Sequence, residues 1–589
     1  MKKVYRFGKF TLNTGEQTLF AGESPIHLPT KEFEILRMLV ENNGEILTKD
    51  EMMQAIWQDT FVEESNLAQY ISRLRKILNA DGQQFIKTFS KRGYRFSAEL
   101  EVGDENLTLR RHISISVGES NRNPLRKIGE INNLAVLPFQ SLSLQTDDDF
   151  LGIGITDALI TQLTRTGQII VRPTTAILRY ANSAKTIIEI ADELAVDAVL
   201  QGNLQRLGNR LRLTVQMFDA RNETPIWAEV FNAEINDIFA VQDEIAEKIV
   251  DSLSQRLSAE SRALLKNRYT ENTDAYQEYL KGRFYQTKRD PQGLQKARVH
   301  FEKAIEIEPL YALAYSGIAD VYELLPLMDE MAPTTAFPRA KSAILRALEI
   351  DPNLGEAHTS LGICLMNYDW NWQGAEISFR KAIELNPYYA VGHQVYATFL
   401  LRQGRITDAL VELQKARSLD PLSPVINTWL AEALTYLGEY EASILLHHET
   451  IKFSPDYFLA YYHLTFTYLL NNQLEQAVET SKKAMSFSEN LSLTQFACVF
   501  LHAVLGETEK AQKILENLLE QRRTKYVSAV NIASCCAALE KFDETLYWLE
   551  IGIKERDPNL TWIKIDKEFT FIRKEERFLN ILSQIKLRD

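Results

Sequence analysis

The sequence is poor in cysteine, with four in 589 residues: Cys364, Cys498, Cys535 and Cys536. None sits in a Cys-x-x-Cys pair, and the nine histidines do not gather near them at metal-ligand spacing. That excludes a disulfide framework or a zinc ribbon and fits free thiols in a reducing compartment. The adjacent Cys535 and Cys536 are expected to be small buried helical residues rather than a redox pair. Long apolar runs are missing too. No stretch approaches the roughly 18 uninterrupted apolar residues of a membrane span, and the most apolar run, Phe496–Leu505, carries His502. The opening MKKVYRFGKFTLN lacks an apolar segment of signal-peptide length. A soluble, cytoplasmic protein without a membrane partner is expected. There is no HExxH motif, no nucleophile elbow and no complete phosphate loop, so no enzyme, no cofactor and no metal is expected. Positive charge is in deficit, with a net charge of −13. A surface that coats nucleic acid or anionic membrane along its whole extent is therefore excluded.

What is present is ordinary globular composition, 45% apolar and 25% charged, over a length that calls for three or four domains. The first hundred residues alternate as short strands at Val4–Phe7, Phe10–Leu12, Thr18–Phe20 and Ile26–Leu28. The period then becomes helical. Thr30 is placed to cap a helix with Phe33, Leu36, Leu39 and Val40 on one face, ending at Gly44. Thr48 and Glu51 form a capping box for a second helix that carries Met52, Met53, Ile56 and Trp57. A third helix is predicted from about Glu63 to Asn79, with Leu67, Ile71, Leu74 and Leu78 on its inner side. Ser65, Gln69, Ser72, Arg73 and Lys76 lie opposite, flanked by Asn66 and Arg75. A hairpin closes the region, Phe85–Phe89 and Tyr94–Phe96 about Ser90–Gly93.

Charge in this segment runs against the rest of the chain. Between Ser65 and Phe96, Arg73, Arg75, Lys76, Lys87, Lys91, Arg92 and Arg95 face only Asp81. A run of cations is often just a solvated helix face. Here amides and hydroxyls are mixed in, as suits base edges and phosphates, and two short helices precede the face in helix-turn-helix order. The stretches "FGKFTLN", "LPTKEFEILRMLVENNGEILTKDEMMQAIW", "FVEESNLAQYISRLRKIL" and "IKTFSKRGYRF" resemble the winged-helix domain of OmpR/PhoB-type and CadC-type regulators over nearly all of residues 4–97. The resemblance implies binding of double-stranded DNA, with the third helix in the major groove and the hairpin wing at the adjacent minor groove. It further implies that Asn66, Gln69, Ser72 and Arg73 contact bases or nearby phosphates, and that Arg75, Lys76, Lys91 and Arg92 mostly neutralise the backbone. Family members commonly bind tandem half-sites, so self-association on DNA is expected, and RNA polymerase is a candidate partner.

Residues 101–130 are polar and aperiodic and read as a linker. CadC-type regulators commonly place a transmembrane helix there; this chain departs from that pattern. It shows no receiver domain before the winged helix either, so the input is expected to be cytoplasmic. Residues 131–260 read as a small α/β module: strand Leu134–Phe139, helix Phe150–Thr166, strand Ile169–Val171, helix Ala184–Leu194, strands Asp197–Gln205, Arg210–Phe218 and Ile226–Phe231, and helix Ile235–Leu257. Gly152 and Gly154 suggest close packing more than phosphate binding, because the third glycine and the lysine are missing. Asp147–Asp149 fit a solvated loop or helix N-terminus better than a cation site. The run from "LAVLPFQSL" to "IWAEVFN" resembles the TolB-N/FlgO-like module, for which no catalytic residues are implied; docking or oligomerisation is the expectation.

From residue 270 the chain repeats. Pro352, Pro387, Pro421 and Pro455 recur at intervals of 35, 34 and 34, and alanines return 12 and five residues before most such positions, as at Ala340 and Ala347, Ala375 and Ala382, or Ala409 and Ala416. A 34-residue period with small residues at fixed places is the tetratricopeptide pattern: small residues let two helices approach, and proline ends the pair. About eight pairs are expected, with an insertion at Leu325–Pro338 as an extended loop or helix end. The closing "DKEFTFIRKEERFLNIL" is expected to cap the stack. The solenoid should offer a concave groove to a protein or peptide. Tyr315, Tyr388, Tyr389, Tyr457, Tyr461, Tyr462 and Trp429 are expected there mainly as packing between helices.

The expected architecture is thus multidomain α+β: a winged helix at 1–100, a linker at 101–130, an α/β module at 131–260 and an all-α tetratricopeptide solenoid at 270–589. The expected function is a soluble one-component transcriptional regulator. The competing reading is a non-enzymatic signalling scaffold whose winged helix contacts protein.

Overall fold

Alternating apolar residues at the N-terminus build four short antiparallel strands, β1 (Lys3–Phe7), β2 (Phe10–Asn13), β3 (Thr18–Ala21) and β4 (Ser24–Ile26). A computed structural model of the chain describes residues 3–14, 18–21, 24–26, 28–56, 64–78, 85–89, 92–98, 100–104, 131–141, 147–166, 169–181, 183–234, 238–252, 270–286, 290–488 and 491–587. It divides into two compact units, Met1–Ser120 and Asn121–Asp589.

In the first unit, α1 (Thr30–Glu41), α2 (Lys49–Ile56) and α3 (Glu64–Leu78) pack between two sheets. One sheet has the order β4-β3-β2-β1-β8; the other is β5-β7-β6, from β5 (Ile46–Leu47), β6 (Ile86–Phe89) and β7 (Gly93–Phe96). The strand β8 (Glu101–Asp104) lies where the sequence reads as linker; it pairs antiparallel with β1, Tyr5 opposite Val102. Backbone pairing there needs no apolar period, so composition did not signal it. Thr30 begins α1 and Pro29 holds the cap position expected for Thr30. The capping box of α2 is as read: the Thr48 amide donates to Glu51 at 2.8 Å and the Glu51 amide to the Thr48 hydroxyl at 3.2 Å. Trp57 lies outside the described residues. The core closes on edge-packed rings, with Phe7 and Phe96 centroids 5.0 Å apart.

The second unit opens with a six-stranded sheet, order β11-β9-β12-β13-β14, with β10 also on β12. Its strands are β9 (Asn133–Val136), β10 (Gln140–Ser141), β11 (Ile170–Val171), β12 (Ala198–Leu207), β13 (Arg210–Asp219) and β14 (Pro225–Glu234). The parallel pairs come first in sequence, joined through helices; the antiparallel hairpins follow. Helices Asp147–Arg165, Ile187–Leu194 and Ile238–Ser252 enclose the core. Asp147–Asp149 form the first turn of their helix. The glycines there permit close packing: a Cβ on Gly152 would meet the Phe139 carbonyl oxygen at 2.2 Å, and one on Gly154 the Leu280 side chain at 2.2 Å. Leu280 belongs to the first repeat helix, so the glycine also seats the module on the repeats.

Among the described residues eight helix pairs follow, their first helices starting at Thr273, Ala312, Gly355, Ala390, Pro424, Phe458, Ser492 and Ala529. The pairing physics is visible at Phe301, whose ring fills the space that Cβ atoms on Gly282 and Gly317 would invade at 2.5 and 2.6 Å. The insertion at Leu325–Pro338 is not an extended loop. It forms a 3-10 turn, Leu325–Met328, then the start of helix Pro333–Ile350, with Pro338 inside that helix. Asp329 in this turn accepts from the Ser492 amide at 2.7 Å and from its hydroxyl at 2.9 Å, capping the first helix of the seventh pair. All four cysteines are buried free thiols, and burial pushes the Cys536 thiol up to about 12.

One repeat position departs from the pattern. Phe379 and Leu413 are followed 34 residues later by His447, fully buried, with neither ring nitrogen hydrogen-bonded among the described residues. Burial, with His463 and His448 nearby, holds its pKa well below the usual histidine range, so the ring is neutral. His447→Leu should stabilise the second unit by about 1–3 kcal/mol, the cost of an unsatisfied buried polar group. The unfolded chain takes up a proton near pH 6.5 and the folded one does not, so acid favours unfolding below that pH. The variant should lose this component of its acid sensitivity. Melting temperatures at pH 5 and pH 8 check both points; an unchanged or lower value at pH 8 contradicts the assignment.

Candidate nucleic-acid interface

The inner ladder of α3 is seated as its spacing predicts: Leu67, Ile71, Leu74 and Leu78 are all within 3% of full burial. A helix fixed on one side by four leucine-type anchors must turn the residues between them outward. Gln69, Ser72, Arg73 and Lys76 are accordingly exposed. Asn66 lies in α3, but its side chain is outside what is described. In the wing, Arg92 is exposed at the turn between β6 and β7, and its amide donates to the Phe89 carbonyl at 2.9 Å. Lys91 lies outside the described residues.

Two arginines have partners within the fold. Arg75 donates from Nε to the Ile86 carbonyl at 3.0 Å and from Nη2 to the Thr88 hydroxyl at 2.6 Å, and its guanidinium lies 6.0 Å from the Tyr94 ring centroid. It is half-buried and ties α3 to the wing. Arg73 keeps 62% of its side chain exposed while Nη1 reaches Glu32 at 3.3 Å.

Glu32 is a neighbour of this face that the sequence did not disclose. It sits in the first turn of α1, only 3% exposed. A buried carboxylate is costly unless a cation or donors satisfy it, so Glu32 restrains where Arg73 can point. An acidic residue in the first turn of a helix looks like ordinary macrodipole complementarity, and nothing in the pattern signals a partner 41 residues on.

The face as a whole is therefore a row of amide, hydroxyl and cationic groups on a rigid rod, beside a hairpin locked to it through Arg75. Such a surface offers hydrogen bonds and positive charge to a polyanion. Among the described residues no group of three or more His, Cys, Asp or Glu side chains could hold a metal. No helix there is long and apolar enough to cross a membrane.

Residues 22–96 match the family model of the transcriptional regulatory protein C-terminal domain. Residues 130–248, the module likened above to TolB-N/FlgO, match the second domain of HilA/YgeH-like transcriptional regulators. The chain is 25% identical over 421 residues to the transcriptional regulator HilA of Salmonella typhimurium, covering 71% of each. It is 27% identical over 235 residues to a putative adenylate cyclase 3 of Rhizobium meliloti, 40% of each chain. Among solved structures, the DNA-binding domain of E. coli CadC aligns at 25% identity and a TM-score of 0.16, over 17% of this chain and 96% of that one. The chain is a DNA-binding transcriptional regulator, with an OmpR/PhoB-type domain at its N-terminal end followed by the second domain of HilA/YgeH-like regulators.

Proposed function

We propose that α3 enters the major groove, that Gln69, Ser72 and Arg73, with Asn66, read bases or adjacent phosphates there, and that Lys76, Arg92 and Lys91 neutralise backbone while the wing lies along the neighbouring minor groove. The observation that carries this reading is the exposed row Gln69, Ser72, Arg73 and Lys76 standing on a fully buried ladder. Arg75 is assigned to holding the wing. Affinity would come from phosphate contacts and fall steeply with salt, and site choice from the groove contacts. The protein works in the cytoplasm as a non-enzymatic regulator, self-associates on DNA, and uses its repeats to take a protein partner or signal, with RNA polymerase a candidate.

A mobility-shift titration on genomic fragments tests the DNA part. Arg73→Ala should lower affinity for the selected site by about 1–3 kcal/mol and relax site preference. Lys76→Ala should weaken all sequences alike and flatten the salt slope by about one. Unchanged affinity and selectivity for Arg73→Ala would overturn the face assignment. The role of the repeats is tested separately, by comparing transcript levels from a bound promoter under the full chain and under residues 1–120, which form their own compact unit. Identical responses would remove the repeats from signal input.

A further inference from the structure

The first helices of successive pairs line the inner side of a tetratricopeptide stack, which is where a partner was expected. In this chain that side is occupied by its own C-terminal segment. Residues 557–573 run as two 3-10 turns, Pro558–Trp562 and Lys567–Ile572, after the eighth pair. One side of the segment is fused to that pair and to Trp370 of the third: Leu560, Ile563, Phe569 and Ile572 are fully buried in one cluster with Val530, Ala533, Leu546, Leu549 and Trp370. At about 1.5–3 kcal/mol for each such side chain, this side does not come away.

The other side is different in kind. It reaches across to the fourth and fifth pairs through a few aromatic and polar contacts. The indole of Trp562 stacks on Trp429, centroids 5.1 Å apart and planes 3° from parallel, and the Arg402 guanidinium lies 3.8 Å from its centroid. Arg402 Nε donates to the Thr561 hydroxyl at 2.9 Å. Four residues on, Asp566 accepts from the Tyr436 hydroxyl at 3.2 Å. Trp562 and Trp429 are only half-buried, whereas Arg402 and Thr561 beside them are buried, so the indole stack is the more exposed part of this contact. Contacts of this type are individually worth about 0.5–2 kcal/mol, within reach of a competing peptide.

We propose that Arg402, Trp429 and Tyr436 form a docking slot for a partner segment carrying an aromatic side chain and, four residues later, a carboxylate, and that Trp562 and Asp566 hold the slot shut in cis. This rests on the reading of the repeats as a partner-binding element. A partner of this chemistry displaces the Trp562 side of the strap while the Phe569 side stays fixed, so the C-terminal segment acts as a competitor built into the chain.

The test uses the full chain and a fluorescein-labelled peptide of residues 558–568. Trp562→Ala opens the aromatic end of the slot, leaving the Asp566 and Thr561 contacts for the peptide to displace, and should bind the peptide at least tenfold more tightly than the parent chain. Trp562→Phe, which refills the slot, should bind no more tightly than the parent, and a peptide with alanine at the tryptophan position should not bind. Equal affinity for all three chains, or no binding to Trp562→Ala, overturns the slot. It leaves the wider reading of the repeats to the promoter comparison above. Should Trp562→Ala fail to fold, hydrogen exchange on the parent chain decides. Amides of residues 564–567 must exchange at least tenfold faster than those of residues 530–537, and equal protection overturns the proposal.

Discussion

Arg172→Met is expected to cost the second unit about 3–5 kcal/mol, because it removes the buried guanidinium that serves four carbonyls and lies near the Asp420 carboxyl. Arg172 is 3% exposed. Its Nε donates to the Leu194 carbonyl at 2.7 Å and Nη2 to Ala195 at 2.8 Å, while Nη1 reaches Ser418 at 2.8 Å and Leu419 at 2.9 Å. These are the last carbonyls of two helices, Ile187–Leu194 in the α/β module and Ile406–Leu419 in the fourth repeat pair. Helix C-termini leave such carbonyls unpaired and carry partial negative charge. A single planar fork with five donors serves both, which a lysine cannot do. Burial lowers the Arg172 pKa to about 10, so the side chain is charged at neutral pH. The neighbouring Asp420 carboxyl is raised by burial to about 6, with Arg172 pulling the other way. A carboxyl with a raised folded pKa contributes its stability below its unfolded value near 3.9 and loses it as pH rises through 6. Without Arg172 that loss deepens and extends to higher pH. The deficit of the variant should therefore be larger at pH 8 than at pH 5, and urea denaturation at the two values measures it. A deficit under 1 kcal/mol at both would show that the contact between the module and the repeats relaxes freely.

Arg172 also marks the limit of what the sequence discloses. It sits in Ile170–Val171–Arg172–Pro173, where no period or motif gives it a role, and its partners are about 20 and 250 residues away. Local features were legible because local physics makes them. The ladder Leu67, Ile71, Leu74 and Leu78 fixes which face of α3 is outward, the Thr48–Glu51 box starts α2, and the 34-residue recurrence of alanine and proline gives the helix pairs. The exposed part of the interface, Gln69, Ser72, Arg73 and Lys76, followed from that ladder alone. The rest was hidden because it depends on tertiary placement. Arg75 counts as one more cation in a composition, yet its donors are taken by Ile86 and Thr88 in the wing. Glu32 looks like a helix-start acid until α1 is laid against α3. The strap from 557 to 573 carries cap-like residues, but nothing in its pattern says that Trp562 lies on Trp429, 133 residues earlier. The inner side of the repeats, expected as an open groove, is thereby shared with the chain's own tail.

Gly93→Ala is expected to remove DNA binding without touching any residue of the exposed α3 row. Gly93 opens β7 with φ at +143°, a conformation side chains rarely adopt. A Cβ there would lie 1.9 Å from the Leu47 carbonyl oxygen and 2.8 Å from its carbon. Both atoms are backbone of β5, which is hydrogen-bonded to β7 with Leu47 opposite Tyr94, so neither can swing aside as a side chain would. The β5–β7 contact must part, and with it the three-stranded sheet whose β6 supplies the Ile86 and Thr88 acceptors that hold Arg75. Combined steric clash and backbone strain places the cost at about 4 kcal/mol or more, at the extreme of single substitutions. A domain of about 100 residues has only about 5–15 kcal/mol in total, so the winged helix loses a large share of its stability together with the seat of its wing. Circular dichroism melting of residues 1–120 and a mobility shift with the full chain should both report the loss. The replacement of Arg92 by alanine one position earlier, where the side chain is exposed, separates the effects: it should leave melting unchanged. A Gly93→Ala chain that melts normally and still shifts DNA would mean that β5 yields, and that the wing is not held at the angle to α3 on which the groove reading depends.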